Sequence, residues 1–344
     1  MQVTQGIDVE RVSSWLADNV AGAVAPFDFE LLAGGRSNLT FTVTDAQGVR
    51  RVLRRPPLGR VLATAHDMAR EHRIISAVGT TGVPVAPALG LCEDTGVNGA
   101  PFYVMGFVEG EVLDSADKAA LLPPALRPGA SHHLIDVLAE LHDVDVDAVG
   151  LGDLARREGY IERQLKRWRT QWEQSKTREL SAVNEVAGRL AANIPEQRGV
   201  AIVHGDYRFG NCLTDVSTGR IAAVLDWELC TLGDPLADVG YLGVYWSDAL
   251  AGSAVRTNDP TPAGGFPKYA DLVARYAERT GRDVSGVDYY VAFSCWRLAV
   301  ISEGVYARYL HGAMGDQSLD LAPMKAGTEN LAELALHAVQ RLGA

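Results

Sequence analysis

The stretch 201–228 reads AIVHGDYRFGNCLTDVSTGRIAAVLDWE and carries the strongest local pattern in the chain. Its apolar segments AIV, CL and IAAVL alternate with polar residues of a few types, which predicts short buried strands joined by polar loops. If NCLTD and IAAVLD pair around the turn STG, Asn211 lies opposite Asp226. Opposed residues have Cβ atoms roughly 5 Å apart. The amide oxygen and the carboxylate are therefore expected to hold Mg²⁺.

Asp206 lies in a turn-rich loop shortly before Asn211. It is expected to face the same cleft without binding the metal, a position that suits a base orienting a hydroxyl. Phosphoryl transfer needs neutralised phosphate charge, an in-line nucleophile, and a group that positions the nucleophile's proton. These acid-type residues supply those parts.

The motif HGDYRFGN at 204–211, followed by LDWE at 225–228, resembles the catalytic loop of the aminoglycoside phosphotransferase and choline kinase family. The resemblance implies an α+β, two-lobed protein-kinase-like fold and transfer of the γ-phosphate of ATP or GTP to a small-molecule hydroxyl. It further implies that Asp206 is the catalytic base and that Asn211 and Asp226 are magnesium ligands. His204 and Asp238 are implied to support the catalytic loop.

Within this superfamily, VLRRPPLG, AHDMAREHR, GAPFYVMGFVEG and EGVYARYLHG resemble most closely the kinase-like domains fused to, or encoded beside, acyl-CoA dehydrogenases. The acceptor implied by that resemblance is a hydroxyacyl-CoA or another hydroxylated metabolite. An aminoglycoside is the other candidate.

The N-terminal part predicts an antiparallel sheet with one main helix. The segments FDFELLA, TFTVTD and VRRVLRR read as a strand meander, and a helical pattern follows at about 65–78. VAPALGLCED and PFYVMGFV read as two more strands, separated by the loop TGVNGA. We predict a nucleotide-binding lobe at 1–107 and a catalytic and substrate-binding lobe at 108–344.

We expect a cationic residue on a strand to contact the nucleotide phosphates and to pair with a glutamate on a helix. Arg54 and Glu71 are the candidates for these two residues. The family more often has lysine at this place, and Arg55 is a competing assignment because strand alternation points only one of the two inward. A turn that covers the phosphates is expected to use Gly34, Gly35 and Ser37. A hinge that contacts the adenine is expected to use Met105, Gly106 and Val108.

The second lobe is expected to be mainly helical, with long exposed loops at 121–131 and 247–267. The predicted helices span 131–142, 160–175, 180–193, 235–247, 268–280, 286–312 and 318–342. Arg297 and Arg308 share a helix face and could bind an anionic substrate or form buried ion pairs. Acidic residues that could line an aminoglycoside cleft are Glu228, Asp248, Asp259 and Glu303.

The amino-acid composition limits the binding partners and the cellular location that we expect. A net charge of −11 argues against nucleic acid and anionic membranes as partners. The four cysteines form no CxxC pair, which favours a reducing cytoplasm. The N-terminus lacks the pattern of a signal peptide, and no apolar stretch reaches the ~20 residues of a membrane span. A monomer or homodimer acting on a small molecule is expected.

Two other functions remain open. A degenerate kinase would bind nucleotide or metabolite without turnover, as Arg54 and the sparse glycine loop suggest. A metal-dependent hydrolase could use His204, Asp206 and Asp226 as ligands. The sequence contains neither HExxH nor GxSxG, which disfavours hydrolysis.

Overall fold

The computed structural model describes residues 6–32, 38–58, 67–249, 259–312 and 320–342. The chain divides into two compact units. Unit 1 comprises the described residues up to Gly110 together with Asp147–Leu151 and Ala222–Leu229, and unit 2 comprises the rest. The lobe boundary predicted after residue 107 lies close to the end of the first segment and stays a prediction.

Unit 1 is built on an antiparallel sheet of order β1-β2-β3-β5-β4. The strand meander and the two later strands are therefore confirmed. In chain order its elements are α1 (Val9–Asn19), β1 (Asp28–Leu31), β2 (Leu39–Thr44), β3 (Arg50–Arg55), α2 (Met68–Val78), β4 (Ala88–Cys92), α3 (Thr95–Asn98) and β5 (Phe102–Gly106).

The core of unit 1 follows from alternation in the central strands. Phe41 and Val43 on β2 and Leu53 on β3 are buried against Leu16 of α1 and Phe102 of β5. Inward side chains recur at every second position of a strand, so these residues form one apolar face. One face of the sheet is therefore buried in the core of unit 1.

Local capping explains the helix boundaries in unit 1. Asp67 caps α2 by accepting a hydrogen bond from the Arg70 amide. The prediction that TGVNGA is a loop was wrong, because Asp94 caps a short helix there and Gly99 ends it at φ 70°. A helix of four residues is too short to show the 3.6-residue hydrophobic period by which a helix is predicted.

Unit 2 is mainly helical, as predicted. Its elements are α4 (Arg127–Asp143), α5 (Tyr160–Ser175), α6 (Ser181–Ala192), β6 (Ala201–Val203), β7 (Cys212–Asp215), β8 (Arg220–Val224), β9 (Thr231–Gly233), α7 (Leu236–Val244), α8 (Tyr269–Thr280), α9 (Val287–Leu310) and α10 (Ala322–Arg341). β6 pairs with β9, and β7 forms a two-stranded hairpin with β8, whose last residues belong to unit 1.

The prediction of an exposed loop at 121–131 was wrong. Two short 3₁₀ turns precede α4, which begins at the buried Arg127. The guanidinium of Arg127 donates to four backbone carbonyls, those of Ala119, Leu122, Ala263 and Gly264. An arginine that satisfies distant carbonyls orders this segment, and no local sequence pattern reports such a contact.

The helix α7 packs very closely on α9. At Gly240 a β-carbon would collide with Tyr290, so the two backbones approach to a distance that only glycine permits. Asp238 lies on α7, one residue before Val239, and is fully buried. None of the helices in the described ranges combines the length and apolar character needed to span a membrane.

Candidate active site

The predicted site residues fall into two groups, one in each unit. In unit 1, Arg54 of β3 is mostly buried, and its Nε lies 3.2 Å from Glu71 Oε2 of α2. Its Nη2 lies 2.6 Å from Asp226 Oδ1. The predicted ion pair between Arg54 and Glu71 is thereby confirmed. Burial alone would lower the pKa of Arg54, but Glu71 and Asp226 outweigh burial and raise it.

Arg55 points to the other side of the strand, as alternation requires. Its guanidinium donates to the Asn98 carbonyl at 3.1 Å and to the Gly6 carbonyl. Arg55 is also buried. Of the two, Arg54 is the arginine beside acidic side chains.

Glu71 is surrounded by polar side chains that the sequence did not reveal. The Tyr103 hydroxyl donates to its Oε2 at 3.0 Å, and Asn38 Nδ2 contacts its Oε1 at 3.4 Å. Asn38 also contacts Glu228 Oε2 at 3.4 Å. Burial raises the pKa of Glu71, although Arg54 and the Tyr103 hydrogen bond oppose the rise. The only available signal for Asn38 was its place after the glycine turn.

Asp226 has an unusual backbone conformation. Its φ is 65°, in the left-handed region that few residues other than glycine adopt, although Asp tolerates it better than most. It follows β8 and precedes a 3₁₀ turn at Trp227–Leu229. Such conformations cost free energy and concentrate at functional sites. Here the conformation accompanies the contact between the Asp226 carboxylate and Arg54.

The other residues predicted to contact the nucleotide show little about how it would bind. Gly34, Gly35 and Ser37 lie outside the described residues. Met105 and Gly106 end β5, and Val108 follows it, all partly buried. The Gly106 amide donates to the Pro87 carbonyl at 2.8 Å.

In unit 2 the amide of Asn211 fixes the predicted base. Its Nδ2 donates to the backbone oxygen of Asp206 at 2.8 Å and to Asp206 Oδ2 at 2.7 Å. Because both hydrogen bonds use the amide nitrogen, the Asn211 oxygen is the atom left for the predicted metal contact. Asp206 Oδ1 is buried and lies 3.4 Å from Arg208 Nε, with which it forms an ion pair. The role of Asp206 as the base stays a prediction.

Asp238 fixes the backbone ahead of the base. Its carboxylate accepts the amides of His204 at 2.6 Å and Gly205 at 2.7 Å, and His142 Nε2 lies 3.2 Å away. Burial alone would raise the pKa of Asp238, but the contacts with His142 and the other partners lower it below its usual range. His204 is fully buried, and its Nδ1 accepts the Asp206 amide at 3.2 Å.

Arg297 and Arg308 occupy different environments. Arg297 is buried, donates to the Gly205 carbonyl, and lies 4.6 Å from the centre of the Tyr241 ring. Arg308 is exposed on the same helix. Their roles toward a substrate stay predictions, and Arg297 is already engaged with the loop that carries Asp206.

Most of the acidic residues considered for an aminoglycoside have other partners. Glu303 is fully buried and accepts hydrogen bonds from the Thr177 amide and hydroxyl, at 2.8 and 2.6 Å. Asp259 accepts the Thr261 amide, and Asp248 accepts the Tyr269 amide. Glu228 lies in unit 1, 3.8 Å from Arg54 Nη2.

The donor chemistry fits magnesium better than zinc. Across the described stretches, no three His, Cys, Asp or Glu side chains converge as a metal site. Asn211 in unit 2 and Asp226 in unit 1 each carry an oxygen of the hard type that Mg²⁺ prefers, and their role as metal ligands stays a prediction.

A sequence profile of the phosphotransferase enzyme family matches residues 28–272. The chain belongs to this family. A protein from Ralstonia eutropha, provisionally assigned as an aminoglycoside phosphotransferase, is 34% identical with a TM-score of 0.82, covering 97% of this chain and 98% of that one. Choline kinase from Cryptosporidium parvum is 13% identical with a TM-score of 0.66, covering 98% and 96%. The kinase-like α+β fold is thus established.

The chain also resembles part of larger proteins. Acyl-CoA dehydrogenase family member 10 of Mus musculus is 34% identical over 91% of this chain and 29% of its own length. Family member 11 of Gallus gallus is 35% identical over 90% of this chain and 40% of its length. The chain therefore spans less than half of these relatives.

Proposed function

We propose that this phosphotransferase moves the γ-phosphate of ATP or GTP onto a hydroxyl of a small molecule, with Mg²⁺ as cofactor. The observation that carries the proposal is Asp206. One of its oxygens accepts a hydrogen bond from the Asn211 amide, and the other lies 3.4 Å from Arg208 Nε, so the carboxylate is held in place. A carboxylate in this state orients an incoming hydroxyl and receives its proton.

Roles for the other residues follow from their charge and position. Arg54 would bind the phosphates, and Glu71 would orient the guanidinium through their ion pair. Asn211 and Asp226 would hold the metal, which when bound neutralises phosphate charge. His204 and Asp238 keep the loop backbone fixed. Met105, Gly106 and Val108 would contact the adenine, together with a phosphate turn at Gly34, Gly35 and Ser37.

The acceptor is proposed as a hydroxyl compound, either a hydroxyacyl-CoA or other hydroxylated metabolite, or an aminoglycoside. Similarity to the acyl-CoA dehydrogenase family members supports the first class. Similarity to the Ralstonia eutropha protein supports the second. Buried free thiols at all four cysteines are compatible with the proposed cytoplasmic location.

The experiment is to measure ADP formation from MgATP against a panel of aminoglycosides, choline-like amino alcohols, sugars and hydroxyacyl-CoAs. Acceptor-dependent turnover is expected in the wild type. Asp206→Ala should lose turnover by a factor of about 10² to 10⁴, the usual contribution of general acid–base catalysis, and should keep nucleotide binding. Transfer retained by Asp206→Ala would contradict the assignment of the base.

A degenerate kinase is the second candidate, and one contact favours it. Arg54 Nη2 lies 2.6 Å from Asp226 Oδ1, so a guanidinium already neutralises the proposed metal ligand. In that case nucleotide would bind without Mg²⁺ and no acceptor would be phosphorylated. Binding of ATP measured with and without Mg²⁺, beside the turnover panel, separates the two functions.

A further inference from the structure

The peptide bond that precedes the proposed base is held at both of its polar atoms. The Asp206 amide donates to His204 Nδ1 at 3.2 Å, and the Gly205 carbonyl accepts a hydrogen bond from Arg297 Nη2. Gly205 has a φ of 84°, in the region that glycine adopts most readily, so this is the freest point of the loop backbone. Because the Asp206 side chain starts from this peptide, the two contacts set the direction of its carboxylate.

Arg297 reaches the loop from a fixed place among three helices. It lies on α9 and is 5% exposed. Its guanidinium lies over the Tyr241 ring of α7, 4.6 Å from the ring centre, and over the Trp168 ring of α5, at 5.9 Å. The faces of aromatic rings attract a cation at these distances. The guanidinium is therefore held by α5 and α7 as well as by its own helix.

The charge of Arg297 is not balanced by an ion pair. Within the described ranges, no carboxylate lies close enough to form one, and the Gly205 carbonyl is the one hydrogen-bond acceptor of the guanidinium. Burying a charge without an ionic partner costs free energy, which an apolar side chain on α9 would avoid. The contact with the loop is what arginine provides here and an apolar residue would not.

Asp238 fixes the backbone on the other side of Gly205. It accepts the amides of His204 and Gly205, which leaves the Gly205 carbonyl to Arg297. We infer that Arg297 is a positioning residue, which orients the peptide between Gly205 and Asp206 and does not bind the acceptor. This inference rests on the proposed function and deepens it. A shift of about 1 Å in a reacting group can slow a reaction by about 10²-fold.

The test compares two buried arginines of unit 2 that donate to backbone carbonyls. Arg297→Met removes the contact with the loop, whereas Arg127→Met removes contacts with carbonyls elsewhere in the chain. Arg127→Met therefore measures what the loss of a buried arginine does by itself. Arg297→Lys keeps a buried cation. If Arg297→Met does not fold, Trp168→Leu takes its place, because it releases the guanidinium on one side without touching the loop.

Steady-state kinetics with MgATP and the best acceptor separate positioning from binding. For Arg297→Met, kcat per folded molecule should fall roughly 10- to 100-fold, with the acceptor KM and the nucleotide Kd changed by less than about twofold. Arg297→Lys should recover part of the loss in kcat. Arg127→Met should keep the wild-type kcat per folded molecule, with the folded fraction taken from urea unfolding.

Hydrogen exchange gives a readout that does not depend on turnover. The amides of His204, Gly205 and Asp206 are followed by mass spectrometry of peptides from the nucleotide-free protein. In Arg297→Met they should exchange roughly tenfold faster or more, as expected when a hydrogen bond from a charged group no longer opposes local opening. In Arg127→Met they should exchange at the wild-type rate.

Two results would overturn the inference. A higher acceptor KM at unchanged kcat in Arg297→Met would mean that Arg297 binds the acceptor. Wild-type exchange rates in the loop of Arg297→Met would mean that Arg297 does not hold the peptide. If the wild type transfers phosphate to no acceptor, the proposed function fails, and the exchange rates still decide whether Arg297 fixes the loop.

Discussion

At the scale of single residues, arginine at position 54 does something that lysine could not. Its planar fork reaches Glu71 through Nε and Asp226 through Nη2. A lysine ammonium is a compact point charge without this fixed geometry. The guanidinium therefore links the helix glutamate to the proposed metal ligand before any phosphate arrives. Bound phosphates would compete with Asp226 for the same N–H groups.

Asp226→Asn tests the metal role at the same scale. The substitution removes one negative charge and keeps the shape of the side chain. We expect nucleotide binding at saturating Mg²⁺ to weaken by roughly tenfold or more, equivalent to about 1.4 kcal/mol, because a carboxylate ligand is lost. Nucleotide titrations over a series of Mg²⁺ concentrations measure it. Asp28→Asn, exposed on β1, is the control, and an unaltered Mg²⁺ dependence would refute the ligand role.

At the scale of elements, two helices fix the loop that carries the base. Asp238 of α7 accepts the amides of His204 and Gly205, and Arg297 of α9 donates to the Gly205 carbonyl. The close approach of the two helices at Gly240 sets their spacing. Loop position thus depends on helix packing as well as on the motif itself.

Asp238→Asn should loosen this loop and destabilise the fold. An amide cannot accept both amide hydrogens and the His142 contact, because its nitrogen is a donor. Breaking a buried charged network costs roughly 3 kcal/mol or more. We expect that loss in urea unfolding at pH 7, together with reduced turnover. Asp283→Asn, whose carboxylate is half exposed, is the control and should change stability little.

The pH dependence of this variant has a defined sign. The pKa of Asp238 is lowered in the folded protein, so its ionised form is favoured by folding. Its stabilisation is complete above the unfolded pKa of about 3.9 and is lost as the pH falls through the lower folded value. The difference in unfolding free energy between wild type and Asp238→Asn should therefore shrink below about pH 4. A difference independent of pH would exclude the charge as its cause.

At the scale of the whole molecule, the chain returns to unit 1 after building much of unit 2. Ala222–Leu229 joins the N-terminal sheet unit, which brings Asp226 and Glu228 to Arg54 and Asn38. Residues far apart in sequence thus form one polar cluster. A ligand bound to that cluster should stabilise the folded chain through the late segment as well as the sheet.

Mg²⁺ and ATP together should raise the midpoint of thermal unfolding. A ligand at about 100 times its dissociation constant stabilises the native state by about 2.7 kcal/mol, which corresponds to a rise of several degrees. EDTA added with ATP should abolish most of the rise, since the metal proposed to bind Asn211 and Asp226 would then be absent. Thermal scans with ATP alone, Mg²⁺ alone and both measure the effect. Equal stabilisation by ATP with EDTA would favour the degenerate kinase.

The sequence by itself determined the element types and the motif. The alternation in β2 and β3 and the periodicity of the long helices predicted the sheet and the helical unit, because one face of each element is buried along its whole length. The spacing HGDYRFGN predicted that Asp206 and Asn211 face the same cleft, and the structure adds a hydrogen bond between their side chains. Arg54 and Glu71 were predicted as a pair by their order in the resembling family.

Only the tertiary structure decided which other side chains complete these groups. Asn38 beside Glu71, Tyr103 on the same carboxylate and Arg208 next to Asp206 are set by side-chain direction and packing, which leave no periodic trace. The prediction of an exposed loop at 121–131 was wrong for the same reason, because Arg127 orders this segment by donating to distant backbone carbonyls. Local patterns report which face is buried, whereas long-range polar contacts depend on how the faces come together.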